Sequence, residues 1–187
     1  VAHEALAEKA AEAQLGFCVD AEEADRLDLS FEVIEALALD RRLGGWDGFG
    51  LAVQAYQKRA PAAIDWLADL ARRGRRRFMV RLVKGAYWDS EIKRGQEGGF
   101  SGYPVFTRKL ATDVSYLACA RRLLAEPDRF YAQFASHNAH TVAAIAVLAG
   151  GREDYEYQRL HGMGEALYGV AARAAGIAAP CRIYAPV

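Results

Sequence analysis

Short apolar runs of strand length alternate with stretches of helical periodicity six times along the chain, and this rhythm restricts the fold more than any other feature. Residues 1–14 are rich in Ala, Glu and Lys and stop near Gly16, which predicts a leading helix. The run 15–20 predicts a first strand. It is followed by a helix over 30–39, with Ser30 as its cap and glutamates in its first turns. A second strand is expected over 48–56, then a helix over 62–73 with Ile64, Leu67, Leu70 and Ala71 on one face. The run 78–84 predicts a third strand. A long polar segment follows, then a helix over 105–124 with Val114, Leu117, Ala118 and Arg121 at turn spacing. Strands over 131–136 and 155–160 lead into helices over 141–148 and 165–175, and 181–187 gives a sixth strand. Near-continuous apolar strands separated by helices are parallel strands covered by their crossovers, so the fold class is α/β.

Between a doubly wound sheet and a (βα)8 TIM-like barrel, the strand ends decide. No GxGxxG follows the first strand, whereas Asp20, Gln54, Lys84, His137, His161 and Tyr184 fall at the C-terminal ends of the six runs. A ring of polar groups at that end is the arrangement of a barrel enzyme. A complete barrel has eight strands and about 250 residues, so six strands in 187 residues leave two positions empty. The chain begins at Val1 without an initiator Met and stops at Val187 directly after a strand-like run, which predicts that it is a portion of a larger protein.

Composition removes several other functions. The 24 Lys and Arg balance 24 Asp and Glu, so no global field draws nucleic acid or an anionic bilayer. The basic run 72–77 reads as a helix C-terminus, and no nucleic acid is expected to bind this segment. The three cysteines, Cys18, Cys119 and Cys181, lie far apart in no metal-ligand spacing; together with the absence of a signal peptide or an apolar span of about 20 residues, this predicts a soluble protein of a reducing cytosol. His137 and His140 read as residues at a helix start, and no metal site is expected.

The segment 81–88, RLVKGAYW, carries the most chemistry. Arg81 and Lys84 supply cations, Gly85 permits close backbone approach, and Tyr87 and Trp88 offer ring faces, a combination suited to a flat anionic cofactor. Two other readings fit the same residues. In one, Arg81 pairs with a neighbouring carboxylate while the aromatics fill the core. In the other, Lys84 is the imine-forming lysine of a Schiff-base barrel aldolase.

The strings 20–27 (DAEEADRL), 81–94 (RLVKGAYWDSEIKR), 102–109 (GYPVFTRK), 112–121 (TDVSYLACAR), 133–139 (QFASHNA), 157–165 (YQRLHGMGE) and 181–187 (CRIYAPV) resemble, in order, the proline dehydrogenase domain of the bifunctional proline utilization A flavoproteins. The resemblance implies a distorted (βα)8 barrel that binds FAD and oxidises L-proline to Δ1-pyrroline-5-carboxylate by hydride transfer to flavin N5. It further implies electron transfer to a membrane quinone, the first step of proline catabolism. It places Asp20 and Ala21 beside flavin and substrate, and Gln54 at the isoalloxazine edge. Arg81, Val83, Gly85, Ala86 and Trp88 would line the flavin, with Arg81 near its N1 and O2 side. Thr107 and Lys109 would reach the adenosine or phosphate end. Ser136, His137, Asn138 and Gln158 would make further FAD contacts, and Tyr87, Leu160 and Tyr184 would wall the proline ring. The parent chain is expected to carry an aldehyde dehydrogenase domain and to be cytoplasmic, with peripheral attachment to the inner face of the membrane left open. The family's carboxylate-binding Lys and Arg-Arg pair have no counterpart here, nor do its first two strands and last helix. Residues 1–187 are therefore expected to be a partial FAD-binding barrel domain, for which an inactive scaffold is the non-enzymatic alternative.

Overall fold

A computed structural model describes residues 2–174, 177 and 179–185. In chain order the main elements are α1 (Ala2–Glu12), β1 (Phe17–Val19), α2 (Leu27–Leu39), β2 (Phe49–Gln54), α3 (Ala60–Gly74), β3 (Phe78–Val83), α4 (Trp88–Glu97), α5 (Lys109–Ala125), β4 (Phe130–Ala135), α6 (Ala139–Ala149), β5 (Tyr155–Leu160), α7 (Glu165–Ala171) and β6 (Cys181–Tyr184). The six strands form one sheet in sequential order, β1 to β6, and every neighbouring pair is parallel. A doubly wound sheet reverses its order at a switch point. This sheet does not reverse; it is a curled, six-stranded wall of a TIM-like barrel.

Strand alternation sorts the side chains onto two faces. Phe78, Val80 and Leu82 of β3, with Phe130, Ala132 and Phe134 of β4, are buried against the helices. There α3 contributes Ile64, Leu67, Leu70 and Ala71, as its periodicity predicts. The opposite face is polar. Arg81 pairs in register with Ala52 and Gln133, Gln133 with Glu156, and Gln158 with Arg182.

Four local expectations change. Ser30 is not a cap: α2 begins at Leu27 after a turn of 3-10 helix (Ala24–Arg26), and the Ser30 hydroxyl donates back to the Arg26 carbonyl at 2.9 Å. The polar segment after β3 contains α4, a helix with few apolar residues that buries Glu91 and Gly95. The next helix starts at Lys109, four residues after Val105, which is itself buried and bridges Gln57 across an antiparallel contact. On α5 the expected face is also replaced. Val114, Ala118 and Arg121 are exposed, while Tyr116, Cys119, Ala120, Leu123 and Leu124 pack inward, with the Tyr116 hydroxyl donating to the Leu82 carbonyl at 3.1 Å. Apolar residues lie on both sides of this helix, so tertiary anchoring decides which side is buried.

The basic run is structural. Arg72 and Arg73 pair with Asp69, Arg73 also with Glu35, Arg75 caps α3 at φ +50°, and Arg76 is buried, donating to the carbonyls of Ala38 and Asp40. No described helix is long and apolar enough to cross a membrane. The expected ends of the last helix and strand, at Ala175 and at Pro186 and Val187, lie outside the described residues.

Candidate active site

Five of the six polar strand ends converge on one cleft of about 680 Å³, a size usual for a small-molecule site. It is lined by Asp20, Ala21, Gln54, Arg81, Val83, Gly85, Ala86, Tyr87, Lys109, Ser136, His137, Asn138, Gln158, Leu160 and Tyr184. Of the residues expected at the site, only Trp88 and Thr107 lie elsewhere; they line an adjoining cleft of about 400 Å³. The two clefts share Lys84, Gly85 and Lys109. His161, also expected at a strand end, lines neither cleft.

Hydrogen bonds within the protein fix most of these groups. Gln54 is buried at the end of β2: its Nε2 donates to the Glu22 carbonyl at 2.8 Å, and its Oε1 accepts from the Ala86 N–H at 3.0 Å. It thereby ties the loop after β1 to the loop after β3, and one amide hydrogen remains for a ligand. Arg81 donates through Nε to Gln158 Oε1 at 3.1 Å, lies 5.0 Å from the Tyr184 ring centre, and approaches the exposed Asp20 carboxylate at 3.5 Å. The Tyr87 hydroxyl donates to Glu22 at 3.1 Å, and that bond raises its pKa. His137 Nε2 accepts the Leu160 N–H at 3.1 Å, while Asn138 caps α6 through the Thr141 N–H at 3.0 Å. His140 lies on α6, and among the described residues no group of three or more His, Cys, Asp or Glu gathers to hold a metal.

Lys84 sits at the waist between the clefts, in a salt bridge with Asp113, which also binds Lys109 at 2.7 Å. Burial pushes the Asp113 carboxyl up, but the hydrogen bonds from Lys109 and Lys84 outweigh it and hold it below the usual carboxylate range. An imine-forming lysine must present an unpaired neutral amine; Lys84 is instead an ion-pair partner, which counts against the aldolase reading. Trp88 is exposed and its Nε1 donates to the Phe106 carbonyl at 3.0 Å, so the aromatics of 81–88 do not fill the core. No thiol nucleophile is presented either: burial pushes Cys18, beside Arg81, up to about 11.

Sequence reading missed Glu22, Asp113, Glu156 and Arg182, each of which holds a site residue or its neighbour. The alternation in 155–160 is the available signal, because it puts Glu156 and Gln158 on the same strand face.

A parallel α/β barrel wall with a cationic, aromatic-lined cleft at the C-terminal ends of its strands defines the class as a barrel enzyme. Comparison with known proteins narrows it. The proline dehydrogenase family profile matches residues 2–187. The chain is 60% identical over 179 residues to the bifunctional protein PutA of Salmonella typhimurium, covering 92% of this chain and 14% of that protein. The crystal structure of a mutant Bradyrhizobium japonicum proline utilization A superposes with a TM-score of 0.95 at 59% identity, over 98% of this chain and 19% of that one. Proline utilization A from Bdellovibrio bacteriovorus, inactivated by N-propargylglycine, superposes at 0.85 with 32% identity, over 92% of this chain and 18% of that one. The chain belongs to the proline dehydrogenase family, and it spans about a seventh of the length of the curated relatives it matches.

Proposed function

We propose that the full-length protein is a flavin-dependent proline dehydrogenase that oxidises L-proline to Δ1-pyrroline-5-carboxylate with FAD held in the paired clefts. The observation that carries this reading is the gathering of Arg81, Gln54, Gln158, Tyr87, Leu160 and Tyr184 around one cleft that continues, past two lysines, into a second. The donor set fits the cofactor. A flat ring calls for apolar and aromatic walls with a few directed donors, and a pyrophosphate calls for cations, here Lys84 and Lys109 at the waist. When bound, flavin supplies the two-electron acceptor for a hydride leaving the carbon next to the proline nitrogen.

The remaining work falls to the chain. Arg81 presents a fixed positive charge in a partly buried setting, suited to stabilising an anionic reduced ring. Gln54 and Gln158, held by their own partners, keep the cleft's shape and the direction of Arg81. Ser136, His137 and Asn138 line the side formed by β4 and α6, while Trp88 and Thr107 line the outer cleft where an adenosine would lie. Tyr87, Leu160 and Tyr184 supply the surfaces that would exclude water around a pyrrolidine ring, and Asp20 and Ala21 close the β1 side. The inactivator of the Bdellovibrio relative, N-propargylglycine, is a secondary α-amino acid like proline, which supports this substrate class.

Within the same proposal, electrons pass to a membrane quinone. The full-length protein is cytoplasmic, peripheral at the inner face of the membrane, and carries an aldehyde dehydrogenase domain that consumes the product. Support for the last element is the word bifunctional in the relatives' names and their much greater length. In this reading 1–187 is part of the barrel domain, and the substrate carboxylate is bound by residues elsewhere in the full-length protein. Proline-dependent reduction of an artificial electron acceptor by the full-length protein tests it: turnover with L-proline is expected, and trapping of a carbonyl substrate on Lys84 by borohydride, without such turnover, would overturn it.

A further inference from the structure

One buried carboxylate takes no part in the reading above. Glu156 of β5 is 1% exposed. It accepts from Gln158 Nε2 at 2.7 Å, Gln133 Nε2 at 2.9 Å and the Tyr131 hydroxyl at 3.3 Å, and Arg182 Nε lies 3.1 Å from each of its oxygens. Arg182 compensates its charge, so the carboxylate is tolerated inside the barrel wall. Its consequence lies at Gln158, two residues along the same strand. An ionised carboxylate only accepts, so the end of Gln158 that faces it is the NH2 group. The Gln158 oxygen is thereby turned the other way, to where Arg81 Nε donates at 3.1 Å. A flipped amide would set oxygen against carboxylate and NH2 against guanidinium, two repulsive contacts in place of two charge-assisted bonds.

We infer that Glu156 is a positioning residue: by pinning the Gln158 amide it holds the Arg81 guanidinium over the Tyr184 ring and so sets the reduction potential of the cofactor. This rests on the proposed function, in which Arg81 is the cation beside the flavin.

The test is the flavin reduction potential of the full-length protein, measured for wild type, Glu156→Gln, Arg81→Lys and the double variant. Arg81→Lys keeps a cation but lacks the Nε–H that Gln158 holds. Losing a negative charge would by itself favour the anionic reduced flavin, so a shift toward oxidised flavin, up to about tenfold for one lost charge-assisted hydrogen bond or about 30 mV for two electrons, is the expected mark of the lost relay in Glu156→Gln. In the Arg81→Lys background that shift toward oxidised flavin should be lost, because it acts through the one contact already removed. An unmoved potential in Glu156→Gln, or a shift that persists in full beside Arg81→Lys, overturns the inference. If Glu156→Gln does not fold, Gln158→Met removes the same relay and leaves the carboxylate its bonds from Gln133, Tyr131 and Arg182: the same shift, lost beside Arg81→Lys, is expected, and an unmoved potential overturns the inference. Flavin present with unmoved potentials sinks this inference alone, whereas a full-length protein without flavin sinks the functional reading and this inference with it.

Discussion

At the scale of single residues, two positions make sharp predictions. Gly85 has φ +146°, and a Cβ there would lie 2.4 Å from Cγ of the Tyr56 ring, which is itself buried. Gly85→Ala should therefore cost about 2 kcal/mol or more of stability, from backbone strain and displacement of the ring, read as a lower urea midpoint at unchanged slope. Arg81→Met removes the fixed cation and its bond to Gln158. On the proposed function it should weaken flavin retention by about tenfold or more, as loss of a charged hydrogen bond does, and equilibrium dialysis of the purified protein measures it. That Arg81, Lys84 and Gly85 lie together at a strand end beside the cleft was legible in the order of residues 81–88 alone. The partners that aim them were not: Gln158 lies 77 positions from Arg81, and Asp113 29 positions from Lys84. The strand order brings the first pair together, and the placing of α5 beside β3 the second.

At the scale of elements, the strands were the readable part, because the face packed on the helices puts an apolar residue at every second position of a short run bounded by loops. The span expected over 155–160 coincides with β5. Helices were legible where one face alone is apolar, as on α3, and illegible where that contrast fails. Helix α4 carries too little apolar surface to announce itself, and α5 carries it on both sides, so its inward side is set by Tyr116 reaching the Leu82 and Ala135 carbonyls. The start of α6 is local chemistry: the Asn138 side chain accepts from the Thr141 N–H and hydroxyl. Asn138→Ala should cost about 1 kcal/mol, and Asn138→Ser should restore most of it, both measured by denaturant unfolding.

At the scale of the whole molecule, net charge is zero and the electrostatics are local pairs. Asp154 is held below the usual carboxylate range, chiefly by its hydrogen bond from Arg152, and Asp113 is lowered between its two lysines despite burial. A carboxylate depressed in the folded state stabilises above its unfolded pKa of about 3.9 and loses that contribution as pH falls through the folded value. The urea midpoint is therefore expected to drop as pH is lowered through about 4, and a midpoint that rises across that range would contradict these pairings. The barrel wall itself was readable from the ring of polar strand ends, and the family from seven strings spread over the chain; the Glu156 network was not, since a charge inside a strand acquires meaning only from its neighbours in register. The central claim, that these strand ends hold a flavin which proline reduces, is tested most directly by the visible spectrum of the purified full-length protein before and after anaerobic addition of L-proline. A yellow protein whose flavin bands bleach on addition is the predicted result; a colourless protein, or flavin bands that proline leaves unchanged, would contradict it.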